Sequence, residues 1–131
     1  MSTLTKVLEK NVAEIEKNAD MKEGRFRLGH HLMPPVGWLN DPNGLCWYKG
    51  KYHVFFQYAP FDVEGGLKFW GHYTSVDLVD WKYEGTALYP DSPYDCHGVY
   101  SGSALVEDEK MHLFFTGNVK IDGDYDYINE G

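Results

Sequence analysis

Two cysteines, Cys46 and Cys96, are all that the 131 residues contain, too few for a disulfide framework. Basic residues are also scarce: twelve Lys and Arg stand against 20 Asp and Glu, a net charge of −8. Nucleic-acid binding rests largely on Lys and Arg contacts to phosphate, so that partner is disfavoured. An anionic membrane surface is disfavoured for the same reason. No run approaches the ~18 consecutive apolar residues of a spanning helix. The N-terminal S-T-L-T-K-V-L-E-K is charged from the outset and has no apolar signal-peptide core. No N-x-S/T sequon occurs, and a cytoplasmic location is the expectation. The six histidines lack H-x-x-x-H spacing, C-x-x-C is absent, and the adjacent His30 and His31 would point apart on a strand. D-G-D-Y-D at 122–126 lacks the twelve-residue calcium loop with its closing Glu. There is no Ser/His/Asp nucleophile elbow and no phosphate-binding glycine loop. Neither a metal nor a cofactor is expected.

Aromatic residues, in contrast, are abundant. Four Trp, ten Tyr and seven Phe make up 16% of the chain. Rings of this kind suit strands, where they pack across the pleat, and carbohydrate sites, where a flat ring lies on the apolar face of a sugar. One helix is predicted, over residues 3–19: Leu4, Leu8, Val12, Ile15 and Ala19 form one apolar stripe, with lysines and glutamates elsewhere. So short a helix needs a surface to lie against. Beyond Gly24 the pattern is one of strands and turns, which divides the chain into a helical leader, 1–24, and an all-β region, 25–131.

The β region carries a repeat. Gly44 to Gln57 can be laid over Gly102 to Thr116, each a strand, a polar turn and then x-His-(Val/Leu)-Phe-Phe, with one extra residue assigned to the second turn. Between the two hairpins, F-W-G-H-Y-T-S and W-K-Y-E-G read as two more strands separated by a turn at Asp77–Asp80. Four strands per unit and a repeat of about 58 residues suggest β-propeller blades. A chain of 131 residues holds little more than two such units, and repeat folds generally need at least three. The expectation is an incomplete architecture with exposed strand edges open to self-association. His53 and His112 fall at equivalent repeat positions, which suggests packing, and Cys46 reads as an inert residue within a strand.

Asp41-Pro42-Asn43-Gly44 has the favoured residue at each place of a type I turn. Asp41 also stands at the mouth of the first strand, where a carboxylate could act as nucleophile at an anomeric carbon. Asn40 could donate to that carboxylate or to a sugar hydroxyl. Gln57 continues the alternation His53, Phe55, Gln57 on one strand face, and Trp70, Tyr100 and Ser101 supply a ring and further hydrogen-bonding groups.

Four motifs in order, W-L-N-D-P-N-G, F-F-Q-Y, F-W-G-H and Y-S-G-S-A, resemble the start of glycoside hydrolase family 32, the β-fructofuranosidases. F-F-T-G-N at 114–118 extends the resemblance more loosely, and the leader followed by H-H-L-M-P-P-V-G-W is most similar to the sucrose-6-phosphate hydrolase branch. The resemblance implies a five-bladed propeller followed by a β-sandwich, and a retaining double displacement on sucrose or sucrose 6-phosphate. It implies Asp41 as nucleophile toward C2 of the fructosyl unit and Asn40 and Gln57 as contacts to fructose hydroxyls. Trp70 would form part of an aromatic wall, and Tyr100-Ser101 would supply another sugar contact. The family's Arg-Asp-Pro and Glu-Cys motifs, which carry the transition-state stabiliser and the general acid, are absent. Retaining chemistry needs two carboxyl groups ~5–5.5 Å apart, so this chain alone is expected to be inactive. A second reading, from a different class, is a non-catalytic sugar-binding or assembly module.

Overall fold

A computed structural model describes residues 2–19, 27–28 and 31–120. The aspartates at 122–126 and His30 lie outside that set. One helix, α1 (Thr3–Asn18), precedes six strands: β1 (Trp38–Tyr48), β2 (Lys51–Ala59), β3 (Phe69–Ser75), β4 (Trp81–Leu88), β5 (Val99–Glu107) and β6 (Lys110–Gly117). The fold is all-β with an N-terminal helix. β1 to β4 form an antiparallel sheet in chain order, and β5 and β6 form a separate hairpin.

Ser2 starts α1 with a reciprocal cap. Its Oγ accepts from the Thr5 amide at 3.0 Å, while Thr5 Oγ1 accepts from the Ser2 amide at 3.2 Å. The buried face is rotated from the predicted stripe: Thr5 and Val12 are buried, whereas Leu4 is 47% exposed. The rotation follows from polar anchoring. Thr5 Oγ1 donates to the Asp91 carboxylate, and Glu16 Oε1 accepts from the hydroxyls of Tyr58 (2.9 Å) and Tyr83 (2.7 Å). These bonds turn Thr5 inward in place of Leu4.

The adjacent Phe55 and Phe56 point to opposite faces of β2 and nucleate two cores. On one face Phe56, Tyr58, Phe69 and Tyr73 enclose Val12 of the helix. On the other, Phe55 and Trp70 pack against Val99, with Met111 and Leu113 of the second hairpin beside them. The four-stranded sheet therefore lies between α1 and the β5–β6 hairpin.

The two hairpins share a register. Trp47 pairs with Tyr52 and Tyr48 with Lys51 in the first; Val106 pairs with Met111 and Glu107 with Lys110 in the second. Each closes through two residues with positive φ, Lys49-Gly50 and Asp108-Glu109, as a type I′ turn requires. The extra residue is thus not in the second turn. It lies in β1, as an irregularity between Asn43 and Cys46. This shifts the repeat, so that Pro42 and Gly102, not Gly44 and Gly102, oppose the equivalent phenylalanines Phe56 and Phe115.

The histidines diverge despite equivalent positions. His53 is half-buried, its Nδ1 2.9 Å from His72 Nε2 and its Nε2 3.2 Å from the Tyr48 carbonyl, whereas His112 is exposed. β2 has β3 alongside it to supply a ring, and no described strand flanks β6. Cys46 is half-buried, and burial pushes its thiol above the usual range.

Candidate active site

The D-P-N-G stretch is not a turn. All four residues run within β1, and Asp41 is the residue without a partner between the Asn40–Gln57 and Pro42–Phe56 pairs. It is a β-bulge. Asp41 has φ +37 and Gly44 φ +52, and Asp is among the residues that visit the left-handed region readily. Pro42 cannot donate to a ladder, and an edge strand at a bulge is where that loss is tolerated. The residues that favour a turn are also those a bulge demands, so the local signal was real and its setting was misread.

β5 bulges at the equivalent place. The shift between the Tyr100–Thr116 and Gly102–Phe115 pairs leaves Ser101 unopposed. The two bulged residues meet: Ser101 Oγ donates to Asp41 Oδ2 at 2.9 Å. Both are exposed. A second bond joins the same strands, from the Gly102 amide to Asn43 Oδ1 at 3.2 Å. Gly102 is confined to glycine because a Cβ there would collide with the Phe114 carbonyl.

Behind the bulge lies a rung. Asn40 pairs with Gln57, and Gln57 with Trp70, which sets the three side chains on one face of the sheet. Gln57, only 3% exposed, donates from Nε2 to the Val99 carbonyl at 2.9 Å. Trp70 is wholly buried between the sheets, and its indole N–H donates to the Tyr100 carbonyl at 3.1 Å. Both residues therefore hold the start of β5 immediately before the bulge. Asn40 Oδ1 and Asn43 Nδ2 are buried and have no hydrogen-bond partner. Buried polar atoms are seldom left unpaired, so the chain carries unmet hydrogen-bonding capacity on both sides of Asp41.

A family profile described as Glycosyl hydrolases family 32 N-terminal domain matches residues 31–129. The chain belongs to glycosyl hydrolase family 32. It is similar to sucrose-6-phosphate hydrolase of Bacillus subtilis, with 52% identity over 108 residues that cover 82% of this chain and 22% of that protein. The sucrose-6-phosphate hydrolase structure from Lactobacillus gasseri superimposes with a TM-score of 0.76 at 40% identity, over 86% of this chain and 23% of that one. A Bombyx mori family 32 β-fructofuranosidase variant in complex with sucrose superimposes with a TM-score of 0.77 at 38% identity, over 94% and 25%. The chain spans 22% of the Bacillus enzyme's length and corresponds to the N-terminal portion of its family 32 relatives.

All six site residues named from the family 32 motifs converge on the β1–β5 junction. Asp41 and Ser101 are in direct contact, Asn40 and Tyr100 flank them in sequence, and Gln57 and Trp70 bond to the backbone of β5. Asn43 was missed, because its place in a turn motif hid its role as the acceptor that ties β5 to β1. A buried amide within a strand would have been the signal. No group of three or more His, Cys, Asp or Glu among the described residues is arranged to hold a metal, and no described helix is long and apolar enough to cross a membrane.

Proposed function

We propose that this chain supplies the nucleophile and part of the fructosyl-binding surface of a retaining β-fructofuranosidase acting on sucrose or sucrose 6-phosphate. The observation that carries this reading is the exposed carboxylate of Asp41, raised on a bulge and gripped by Ser101 from the matching bulge of the next hairpin. In the proposed mechanism Asp41 attacks C2 of the fructosyl unit and displaces the glucosyl oxygen, giving a covalent fructosyl–enzyme that water then hydrolyses. The bulge holds the carboxylate toward the substrate without a side-chain search, and near-attack positioning of this kind lowers the barrier substantially. Asn40, through its unpaired Oδ1, and Gln57 serve fructose hydroxyls. Trp70 backs the wall from beneath, and Tyr100 and Ser101 line it.

In this reading the chain is an incomplete part of a propeller catalytic domain, and its cellular home is the cytoplasm. The general acid is contributed by sequence absent here, since Glu-Cys does not occur. General acid–base assistance contributes typically 10²–10⁴-fold, so the purified chain should release no fructose from sucrose or its 6-phosphate above the uncatalysed rate. Turnover by the chain alone, abolished by Asp41→Asn, would overturn its incompleteness. Asp41's role is tested by replacing the corresponding segment of the Lactobacillus gasseri enzyme with this chain. In the folded chimera Asp41→Asn should lower kcat by roughly 10⁴-fold or more; retained turnover would remove Asp41 from the reaction.

The exposed apolar residues of the second hairpin, Leu105, Phe114 and Phe115 among them, favour a second reading, an assembly module derived from such an enzyme. The two are separated by whether sugar binds at Asp41.

A further inference from the structure

Asn43 is buried behind the paired bulges, 3% exposed and two residues beyond Asp41 in β1. Its pairing with Phe55 sets the side chain on the sheet face that β5 covers. Oδ1 accepts from the Gly102 amide at 3.2 Å, and Nδ2 is buried with no partner among the described residues. We propose that Asn43 is a positioning residue, which fixes the bulge of β5 so that the Ser101 hydroxyl meets the Asp41 carboxylate in one orientation. The proposal rests on the β-fructofuranosidase reading above, in which Asp41 is the nucleophile.

Place and cost both point to this role. Ser101 is unopposed in its own hairpin, so the ladder to β6 does not set its position. Before it, the carbonyls of Val99 and Tyr100 are held by Gln57 at 2.9 Å and Trp70 at 3.1 Å. After it, the Gly102 amide is held by Asn43. The bulge is thus pinned on both sides to the sheet that carries Asp41, and Asn43 supplies the far pin. Gly102 adjoins Ser101 and Asn43 is two residues from Asp41, so this bond and the 2.9 Å Ser101–Asp41 bond close one small ring between the bulges. A carboxylate free to rotate samples several orientations, and a misplacement of 1 Å can cost about 10²-fold in rate. The cost is that of the amide itself. A buried donor without a partner is destabilising, and replacing such a group by a hydrocarbon of the same shape is near neutral or stabilising. Gly102 is exposed, so water can take its N–H once Oδ1 is gone. Stability therefore does not account for an amide at this position, whereas the placing of Ser101 does.

The test separates position from stability. In the ¹⁵N-labelled 131-residue chain, Asn43→Leu should move the amide signals of Asp41, Ser101 and Gly102, with a urea midpoint at or above that of the parent. Asn43→Ala should move the same signals, and Asn43→Asp, which keeps the acceptor, should leave the Gly102 signal close to the parent's. A clear loss of stability in Asn43→Leu, or no shift at Ser101 in either Leu or Ala variant, would make Asn43 a packing residue and overturn the assignment. In the folded chimera with the Lactobacillus gasseri enzyme, Asn43→Leu should lower kcat for sucrose 6-phosphate about 10–100-fold, with KM within about two-fold of the parent. Ser101→Ala should lower kcat as well. The double variant should be no slower than the slower single one, because both changes release the same carboxylate. Losses that multiply would separate Asn43 from the Ser101–Asp41 pair and overturn the proposal. Unchanged kcat in Asn43→Leu beside an inactive Asp41→Asn would overturn the positioning role and leave the hydrolase reading standing. Turnover by Asp41→Asn would overturn both.

Discussion

Asp41 carries two demands at once, a left-handed backbone and an exposed carboxylate, and substitution can separate them. Asn accepts positive φ nearly as well as Asp, so Asp41→Asn should leave stability within about 0.5 kcal/mol of the parent. A β-branched side chain at φ +37 is strained, so Asp41→Val should cost about 1–3 kcal/mol. Urea unfolding checks both. Equal stability of the two variants would show that the bulge does not need the conformation described. Ser101 is the complementary case: it is exposed, and its hydroxyl donates to the Asp41 carboxylate and so orients that side chain. The carboxylate proposed as nucleophile was legible in W-L-N-D-P-N-G, but its backbone was not. Turn and bulge ask for the same residues, and only the pairing of Asn40 and Pro42 with β2 distinguishes them.

At the scale of elements, α1 is anchored by two carboxylates, Asp91 at its start and its own Glu16 near its end. Glu16 accepts from two tyrosine hydroxyls, that of the buried Tyr58 and that of the half-buried Tyr83. Glu16→Ala should leave both unpaired and cost about 2–3 kcal/mol, while Glu16→Gln, which keeps an acceptor oxygen, should cost clearly less. Burial and the Glu16 carboxylate both push the hydroxyls of Tyr58 and Tyr83 well above the ordinary tyrosine range. The β2–β3 pair carries an acid-sensitive joint. His72 stacks on Phe55 at 4.3 Å between centroids and faces His53. Burial and the His53 ring beside it depress its pKa from 6.5 to about 4, against an opposing pull from Glu84. A depressed folded-state pKa means that the unfolded chain takes up the proton first as pH falls. The resulting stability is complete above pH 6.5 and is lost progressively toward pH 4. Thermal unfolding should show this decline, and His72→Phe, which keeps a stacking ring, should flatten it over that interval. The helix was legible from its 3.6-residue period, but not its orientation, because Leu4 and Thr5 compete for one face until Asp91 and Glu16 decide.

At the scale of the molecule, the second hairpin covers one face of the sheet and leaves its own outer face bare. Leu105 is 50% and Phe114 56% exposed on that face, while Phe115 turns to the inner face against Trp70. With no described strand flanking β6, both the apolar side chains and the strand edge are open to pairing. The purified chain should therefore self-associate with rising concentration in sedimentation velocity, and Phe114→Lys should shift it toward monomer. A chain that stays monomeric at high concentration, with Phe114→Lys unchanged, would show that this face is inert.

The sequence by itself determined the family, the all-β character with one leading helix and the two-hairpin repeat. Those properties reside in local pattern: alternating apolar positions, turn residues and ordered motifs, each legible within about a dozen neighbours. Only the tertiary structure decided that the D-P-N-G stretch bulges, that Trp70 is sealed between sheets, and that Asp41 meets Ser101 sixty residues away. Such contacts depend on register and on how two sheets stack. A one-residue shift in pairing reverses every side chain, and that choice is made by the whole packed core.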